Sequence, residues 1–494
     1  MIDRIAVKSF ENTKHDLLFT ITYNDREFPL AYRYDDSVNF PELEEQYGKD
    51  FMDKIYFHII AFEINKLAGL KPDELDWGPF KKFVTPEFEA LWREVFKNVW
   101  GEWRYKNDFP DYEGPKFTSK PVKSSSLPKA LPAGKVETLL SCSSGKDSLA
   151  CLTLLQNGEV PFDTLSYSIN QYGRHEDQRA AADRVIDTSS PSHRRYLGMD
   201  DTIMNSKILE YPEIIAKGIT MLTQGETPSA IFGSLPYALA HNYHYLALGH
   251  ERSANAPQVY WGKTEEGLNH QWGKSFAAET LINTYMRKNL ITNYGCFSLL
   301  QPIHDGVIFS ILNDKPDAIK ATNSCNNDLD GCEKCAKCCY VNLGFGAFLP
   351  KEVVDAKYRT NLFNNTDNTD NYAELLAEGQ RPWECVGERP ETNLFFALCA
   401  ANGYEGEAIN RYLNSGIAGE IDHDTIEEYL SVHLEQHNIP PDIAKKVLPL
   451  MEVAAARARE AVHDIRNKSG ISTHADRVPR IDLLNPRSGL SPGR

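Results

Sequence analysis

The stretch Leu139-Leu140-Ser141-Cys142-Ser143-Ser144-Gly145-Lys146-Asp147-Ser148 sets an apolar run against small, polar and charged residues. Val136 to Ser141 reads as a buried strand, Ser148 to Gln156 as an apolar helix, and Thr164 to Ile169 as a second strand, so a doubly wound α/β unit opens here. Small residues between strand and helix let successive backbone N–H groups and the helix N-terminus point at one place, where an anion is stabilised. The spacing is not the Walker type, which needs Gly-x4-Gly-Lys-Ser/Thr. The plain alternative is an ordinary strand-to-helix turn that holds no ligand.

Working outward, helical patterns over Gln178 to Ile186 and Pro228 to His241 and the strand Tyr245 to Gly249 extend the parallel sheet to about residue 310. Upstream, Leu17 to Tyr23, the turn Asn24-Asp25-Arg26 and Phe28 to Tyr32 form a strand, turn, strand signal, followed by helical periodicity from Met52 to Lys66 and Pro86 to Trp100. Residues 1–108 are thus expected to be a small α+β domain, 109–135 a linker rich in Pro, Ser, Lys and Gly, and 136–350 the α/β domain. Amphipathic segments near 371–378, 391–402, 425–437 and 441–467 predict a helical region over 351–470, and the Pro-containing 471–494 reads as a tail.

With 494 residues, 41% hydrophobic and 25% charged, the chain can bury a full core. It has no apolar run of about 18 residues and its first residues lack the blocks of a signal peptide, so a cytoplasmic protein with no membrane partner is expected. A net charge of −16 argues against a protein that coats nucleic acid. Arg174, Arg179, Arg184, Arg194 and Arg195 fit a phosphate-bearing or carboxylate-bearing small molecule better. Among ten cysteines, Cys325-x6-Cys332-x2-Cys335-x2-Cys338 has the spacing of a closed tetrahedral Zn²⁺ site, with Cys339 left over. Iron–sulfur ligation and a redox dithiol are the competing assignments.

The loop at Ser143 resembles the PP-loop of the ATP pyrophosphatase superfamily, whose pattern is Ser-Gly-Gly-x-Asp-Ser. That resemblance implies that Ser143, Ser144, Gly145, Lys146 and Ser148 bind the pyrophosphate half of ATP and that Asp147 helps to place Mg²⁺. Ser144 stands where the family usually has Gly, a substitution that costs about 1 kcal/mol or more if the position needs positive φ. A PP-loop domain with a later four-Cys knuckle also resembles the 7-cyano-7-deazaguanine synthases, which adenylate a carboxylate.

Three further segments narrow the resemblance: His250-Glu251-Arg252-Ser253-Ala254-Asn255, Leu268 to Ser275, and Pro382-Trp383-Glu384-Cys385-Val386-Gly387-Glu388. Together with Ser324-Cys325-Asn326 and Gly101 to Asn107, they look like the MurL family of ATP-dependent UDP-N-acetylmuramoyl-L-alanyl-L-glutamate epimerases, in peptidoglycan precursor synthesis. His250 stands where that family is expected to have Asn, and the chain beyond Asn402 has no counterpart in the resemblance.

An α-proton beside an ionised carboxylate is very hard to remove, and adenylation abolishes that charge. A base then takes the proton, a donor returns it to the opposite face, and hydrolysis releases AMP and the epimer. On this reading Arg252, Ser253, Asn255 and Lys274 bind substrate, and the proton shuttle is sought among His270, Glu251, His250, Cys385 and Glu388. His270 is the first choice because imidazole titrates near neutral pH. Cys142 and Cys296 are further thiols to locate, and Trp272 and Trp383 are either stacking platforms or core. The alternative function is a PP-loop enzyme that traps the adenylate for amidation or nitrile formation; a binder without turnover ranks last.

Overall fold

The computed structural model describes residues 2–124, 126–222, 226–379, 381–418 and 421–469; the expected tail at 471–494 lies outside them. Twelve strands are described: β1 (Arg4–Asn12), β2 (Asp16–Tyr23), β3 (Arg26–Tyr34), β4 (Glu74–Asp76), β5 (Lys116–Phe117), β6 (Thr138–Ser141), β7 (Phe162–Ile169), β8 (Arg194–Asp201), β9 (Tyr245–Leu248), β10 (Val259–Trp261), β11 (Glu266–Leu268) and β12 (Gly295–Ser298). Ten of them form one sheet in the order β12-β9-β6-β7-β8-β3-β2-β1-β4-β5, and β10 pairs with β11. From β12 to β8 all neighbours are parallel. Numbered along the chain, these five run third, second, first, fourth, fifth from β8, so the order reverses between β6 and β9. Ligand crevices in such sheets lie outside the carboxyl ends of the strands at that reversal.

The expected N-terminal unit does not close on a sheet of its own. In β2, Leu17, Phe19, Ile21 and Tyr23 are buried in strict alternation, which gives the hairpin one apolar face. Asn24 turns the chain at φ 52, and β3 then pairs antiparallel with β8 through Leu30↔Asp201 to Tyr34↔Leu197. The hairpin thereby covers what would be the open edge of the parallel sheet. The segment expected as a linker carries β5 and a parallel bridge between Lys129 and Ile291, so it also runs against the sheet.

Period-two alternation divides the parallel strands between two cores. Leu139, Leu246, Leu248 and Cys296 face one that holds the N-terminal helices Lys49–Ile64 and Pro86–Val99; Leu140, Ala247 and Phe297 face one built with Lys146–Asn157, Asp305–Leu312, Ala336–Phe348, Arg389–Ala401 and Pro441–Ser469. The result is a mixed α/β molecule with a mainly parallel sheet between helical layers and a helical C-terminal region.

Two expected helices differ. The pattern over 228–241 folds as Glu226–Gly233 and Leu235–His241, because Pro236 in the first turn of the second helix cannot continue the hydrogen bonding of the first. The helix expected over 425–437 stops at Tyr429, after which His433 N–H donates to Pro302 O. No described helix is long and apolar enough to cross a membrane.

Candidate active site

A cavity of about 1060 Å³ opens at the carboxyl ends of β6 and β9, with Ser143, Ser144, Gly145, Asp147 and Ser148 along one wall. Helix Lys146–Asn157 begins there with Gly145 as N-cap, which has no side chain to offer as a cap. Ser143 N–H donates to Ser148 Oγ at 2.9 Å, and Lys146 N–H donates to Ser324 Oγ at 3.1 Å. Ser144 has no positive φ; its hydroxyl donates to Asn323 O at 3.0 Å, and Asn323 N–H returns a bond to Ser144 O at 2.6 Å. The serine therefore carries no left-handed strain and ties the loop to the segment before the cysteine cluster. A Cβ at Gly145 would meet only Ser143 Oγ and Ser324 Oγ at 3.6 Å, an ordinary contact. Nothing in the chain itself demands glycine there; a ligand approaching the backbone would.

Lys146 does not line this wall. Its ammonium is buried, 2.5 Å from Asp147 Oδ1 and 2.5 Å from Asp305 Oδ1. Burial opposes its charge, but Asp147 and Asp305 outweigh burial and hold its pKa up. Tyr340 OH donates to Asp305 Oδ2 at 2.9 Å and to Glu391 Oε2 at 3.0 Å, while Glu391 Oε1 accepts Gly306 N–H at 2.9 Å. Lys146 thus anchors the start of its helix to helices Asp305–Leu312, Ala336–Phe348 and Arg389–Ala401, in place of the expected role at pyrophosphate.

The opposite wall joins four distant segments. Glu102, on the short helix Gly101–Lys106, pairs through Oε2 with His270 Nδ1 and accepts Lys106 Nζ at 2.5 Å through Oε1. His270 is set by its N–H to Gln258 Oε1 at 2.7 Å, and the loop continues to Lys274, just before the Ser275-capped helix Phe276–Asn289. Lys274 Nζ lies 3.1 Å from Cys385 Sγ and 3.2 Å from Gln271 Oε1. The 381–388 segment is pinned by Arg381 Nη2 to Ala256 O at 2.7 Å and by Lys337 N–H to Glu384 Oε2 at 3.0 Å. Gly387 has no alternative, since a Cβ there would lie 2.0 Å from Tyr340 OH.

This grouping sets unusual charge states. Burial opposes ionisation of Cys385, but Lys274, Lys337 and His270 bring its pKa well below the ordinary thiol range. Burial likewise opposes the imidazolium of His270, yet the nearby Cys385 thiolate and the bonded Glu102 carboxylate raise it to about 9. Trp383 lines the cavity, 5.6 Å from Tyr105 between ring centres, whereas Trp272 packs against the N-terminal core.

The remaining candidates scatter. His250 lines the cavity beside Ser298, with Nδ1 3.0 Å from Ser298 Oγ, and burial reinforced by Lys274 lowers its pKa to about 3, so it is neutral. Glu251 is buried near the Lys146 cluster and raised to about 7 by burial, Lys274 opposing. Arg252 turns away toward Glu428, 3.8 Å from its Oε1. Ser253 is fully buried, and Asn255 is spent on structure, with Nδ2 to Gln301 Oε1 at 2.9 Å and Oδ1 accepting Phe276 N–H at 2.8 Å. Glu388 is the N-cap of helix Arg389–Ala401 and lies off the cavity. Of the four residues expected to bind substrate, Lys274 alone borders the cavity; the short turn Arg252–Asn255 is tied instead to Ile303, whose carbonyl accepts Arg252 N–H at 3.0 Å. Cys142 borders it as a buried thiol whose pKa burial raises, and Cys296 is buried against Asn283.

Glu102 and Lys337 were not singled out as candidates from the sequence. Glu102 lies within the Gly101 to Asn107 stretch that carried the family likeness, but no spacing linked it to His270.

Beside the cavity, the thiols of Cys325, Cys332, Cys335 and Cys338 lie within 4.8 Å of one another, with Cys332 Sγ and Cys338 Sγ 3.9 Å apart. A tetrahedral Zn²⁺ with Zn–S of about 2.3 Å needs sulfurs roughly 3.8 Å apart, so the donor set fits that ion. Backbone N–H groups of Asn327 and Cys338 point at Cys325 Sγ and Cys335 Sγ at 3.4 Å, which suits thiolates. Cys339 is buried outside the set.

The MurL N-terminal domain model matches residues 228–299 and the MurL C-terminal domain model residues 321–425. A UDP-N-acetyl-alpha-D-muramoyl-L-alanyl-L-glutamate epimerase of Xanthomonas oryzae is 25% identical over 383 residues, covering 74% of this chain and 79% of that protein. Proteins of the same name from Micromonospora and Salinispora tropica are 30% and 29% identical over 163 and 162 residues, each 31% of this chain and 36% and 35% of theirs. The matched regions contain His270, Lys274, the four clustered cysteines and Cys385. In both of its characteristic domains, then, this chain is similar to the MurL family.

Proposed function

We propose that the protein is an isomerase that inverts the terminal L-Glu of UDP-MurNAc-L-Ala-L-Glu to the D form, adenylating its carboxylate with ATP and releasing AMP and pyrophosphate. The names of the relatives and the two MurL domains support the reaction and its nucleotide-sugar peptide substrate. The single structural observation that carries the chemistry is one cavity bordered both by an anion-cradling loop and by a Cys385, His270 and Lys274 cluster.

The hydroxyls of Ser143 and Ser148 and the loop amides, those of Ser143 and Lys146 exchanging their present bonds to Ser148 and Ser324, would hold the phosphates in a PP-loop manner at the positive end of helix Lys146–Asn157. The Asp147 carboxylate would hold Mg²⁺, which supplies charge neutralisation on the phosphates. The substrate carboxylate attacks the α-phosphorus, pyrophosphate leaves, and the acyl adenylate carries an acidic α-C–H. Lys274 stabilises negative charge where the opposite wall meets substrate. A closed Zn²⁺ site at the four cysteines would be structural, holding the 323–338 segment against the loop on one side and Glu384 on the other. A cytoplasmic location follows from the nucleotide substrates.

The test is to incubate the protein with ATP, Mg²⁺ and UDP-MurNAc-L-Ala-L-Glu in D₂O, following AMP and α-deuterium together. AMP formation with deuterated D-Glu is the expected result. AMP without exchange or inversion would replace epimerisation with activation for an acceptor, and neither product would overturn the substrate.

A further inference from the structure

We propose that the Cys385 thiolate is the base that takes the α-proton, with His270 as its charge partner and Glu102 as the residue that positions His270. This deepens the epimerase reading and rests on it.

The geometry is specific to this thiol. Cys385 Sγ lies 3.1 Å from Lys274 Nζ, and His270, held through Nδ1 by Glu102, adds a positive charge that favours the thiolate. Glu102, His270, Lys274 and Cys385 all border the cavity that the 143–148 loop enters. The charged groups around the sulfur come from every element packed on it: Lys274 and His270 from the 268–275 loop, Lys337 from the helix that follows Cys335, Glu384 from its own segment, and Glu102 with Lys106 from the N-terminal helix. Four cations against two carboxylates leave the sulfur on the positive side of the balance. Buried thiols elsewhere in the chain have the reverse surroundings: Cys142, Cys151 and Cys296 are enclosed chiefly by apolar core, and burial raises all three. A thiolate held ionised by cations is the reactive form of cysteine.

In the step itself the Cα–H bond of the acyl adenylate breaks and an S–H bond forms. The freed electron pair moves onto the adenylate carbonyl oxygen, facing the positive charge of Lys274. A proton from solvent or a donor on the other face then makes the new Cα–H bond, and the thiol returns its proton to solvent, so no other reagent is consumed. Glu102 acts only through His270: it holds the ring at Nδ1 and favours its charged form.

Two measurements test this. Iodoacetamide alkylation mapped to Cys385 in the substrate-free protein should proceed at nearly the same rate at pH 6 and pH 8.5. His270→Asn and Lys274→Gln should move the midpoint upward by at least one pH unit, and Glu102→Gln by less. A wild-type midpoint near the ordinary thiol value of about 8.5 would overturn the thiolate. With the dipeptide substrate, Cys385→Ser should lose α-proton exchange by roughly 10³-fold while AMP release falls less than tenfold. Exchange retained in this variant, with an unchanged melting curve, would overturn the base. A wild type that makes no AMP with this peptide would instead overturn the substrate reading, and the alkylation profile would still decide the thiolate.

Discussion

The two walls of the cavity are built in opposite ways. The 143–148 wall is one contiguous turn between β6 and its helix, held from behind by Asn323 and Ser324 and by the buried Lys146–Asp305 pair. The 385 wall has no contiguous origin: Glu102, the 268–275 loop with His270 and Lys274, and Cys385 come from three segments far apart in the chain. A contiguous wall depends on local backbone shape, whereas an assembled wall depends on charge placed by packing. Substitutions should therefore separate them.

The largest separation is expected at Gly145→Ala. Its Cβ has ordinary room in the chain, so the melting temperature should stay within a few degrees, while AMP release falls about 100-fold because phosphate must approach that backbone. An active alanine variant would remove the loop from the ligand site. Glu102→Gln comes next on the assembled wall, with α-proton exchange falling roughly tenfold to a hundredfold and AMP release much less, as a deuterium-exchange assay would read.

The same wall should carry a pH signature. His270 is raised to about 9, so its contribution to stability is full below its unfolded value of roughly 6.5 and is lost as pH rises through 9. Glu102 is lowered, with burial opposing and His270 and Lys106 outweighing it, so its part is present above the ordinary carboxylate value and lost under more acidic conditions. Wild-type melting should accordingly fall between pH 7 and 9.5, and Glu102→Gln should flatten that fall.

The cysteine cluster touches both walls, through Asn323 and Ser324 on one side and Lys337 and Glu384 on the other. Cys332→Ser, or treatment with a chelator that would remove a metal held by the four thiols, should lower the melting temperature by on the order of 10 °C and depress AMP release and exchange together. A loss confined to one activity would break the view that the cluster braces both. The smallest effect is expected at Ser144→Ala, which removes one hydrogen bond to Asn323 O and should cost about 1 kcal/mol, seen as a few-fold drop in AMP release.

What the sequence by itself determined is local. Period-two and helical patterns marked the parallel strands, the N-terminal hairpin and most helices, and the small residues after Leu140 marked the strand-to-helix cradle. Cysteine spacing marked the four-thiol cluster, because ligands close in sequence are close in space. Sequence also put Cys385 and His270 among the candidates, though not as a pair. Tertiary structure alone decided the rest. It joined β3 to β8 so that the N-terminal segment extends one sheet, which no local pattern encodes because sheet neighbours are chosen by edges. It drew Lys146 inward, since the buried Asp305 and the cavity-facing Asp147 outweigh the loss of solvent, and turned Arg252 toward Glu428. Above all it placed Glu102 against His270 and Lys274 against Cys385: charge states are set by neighbours a few ångströms away, and those neighbours are more than a hundred residues apart in the chain.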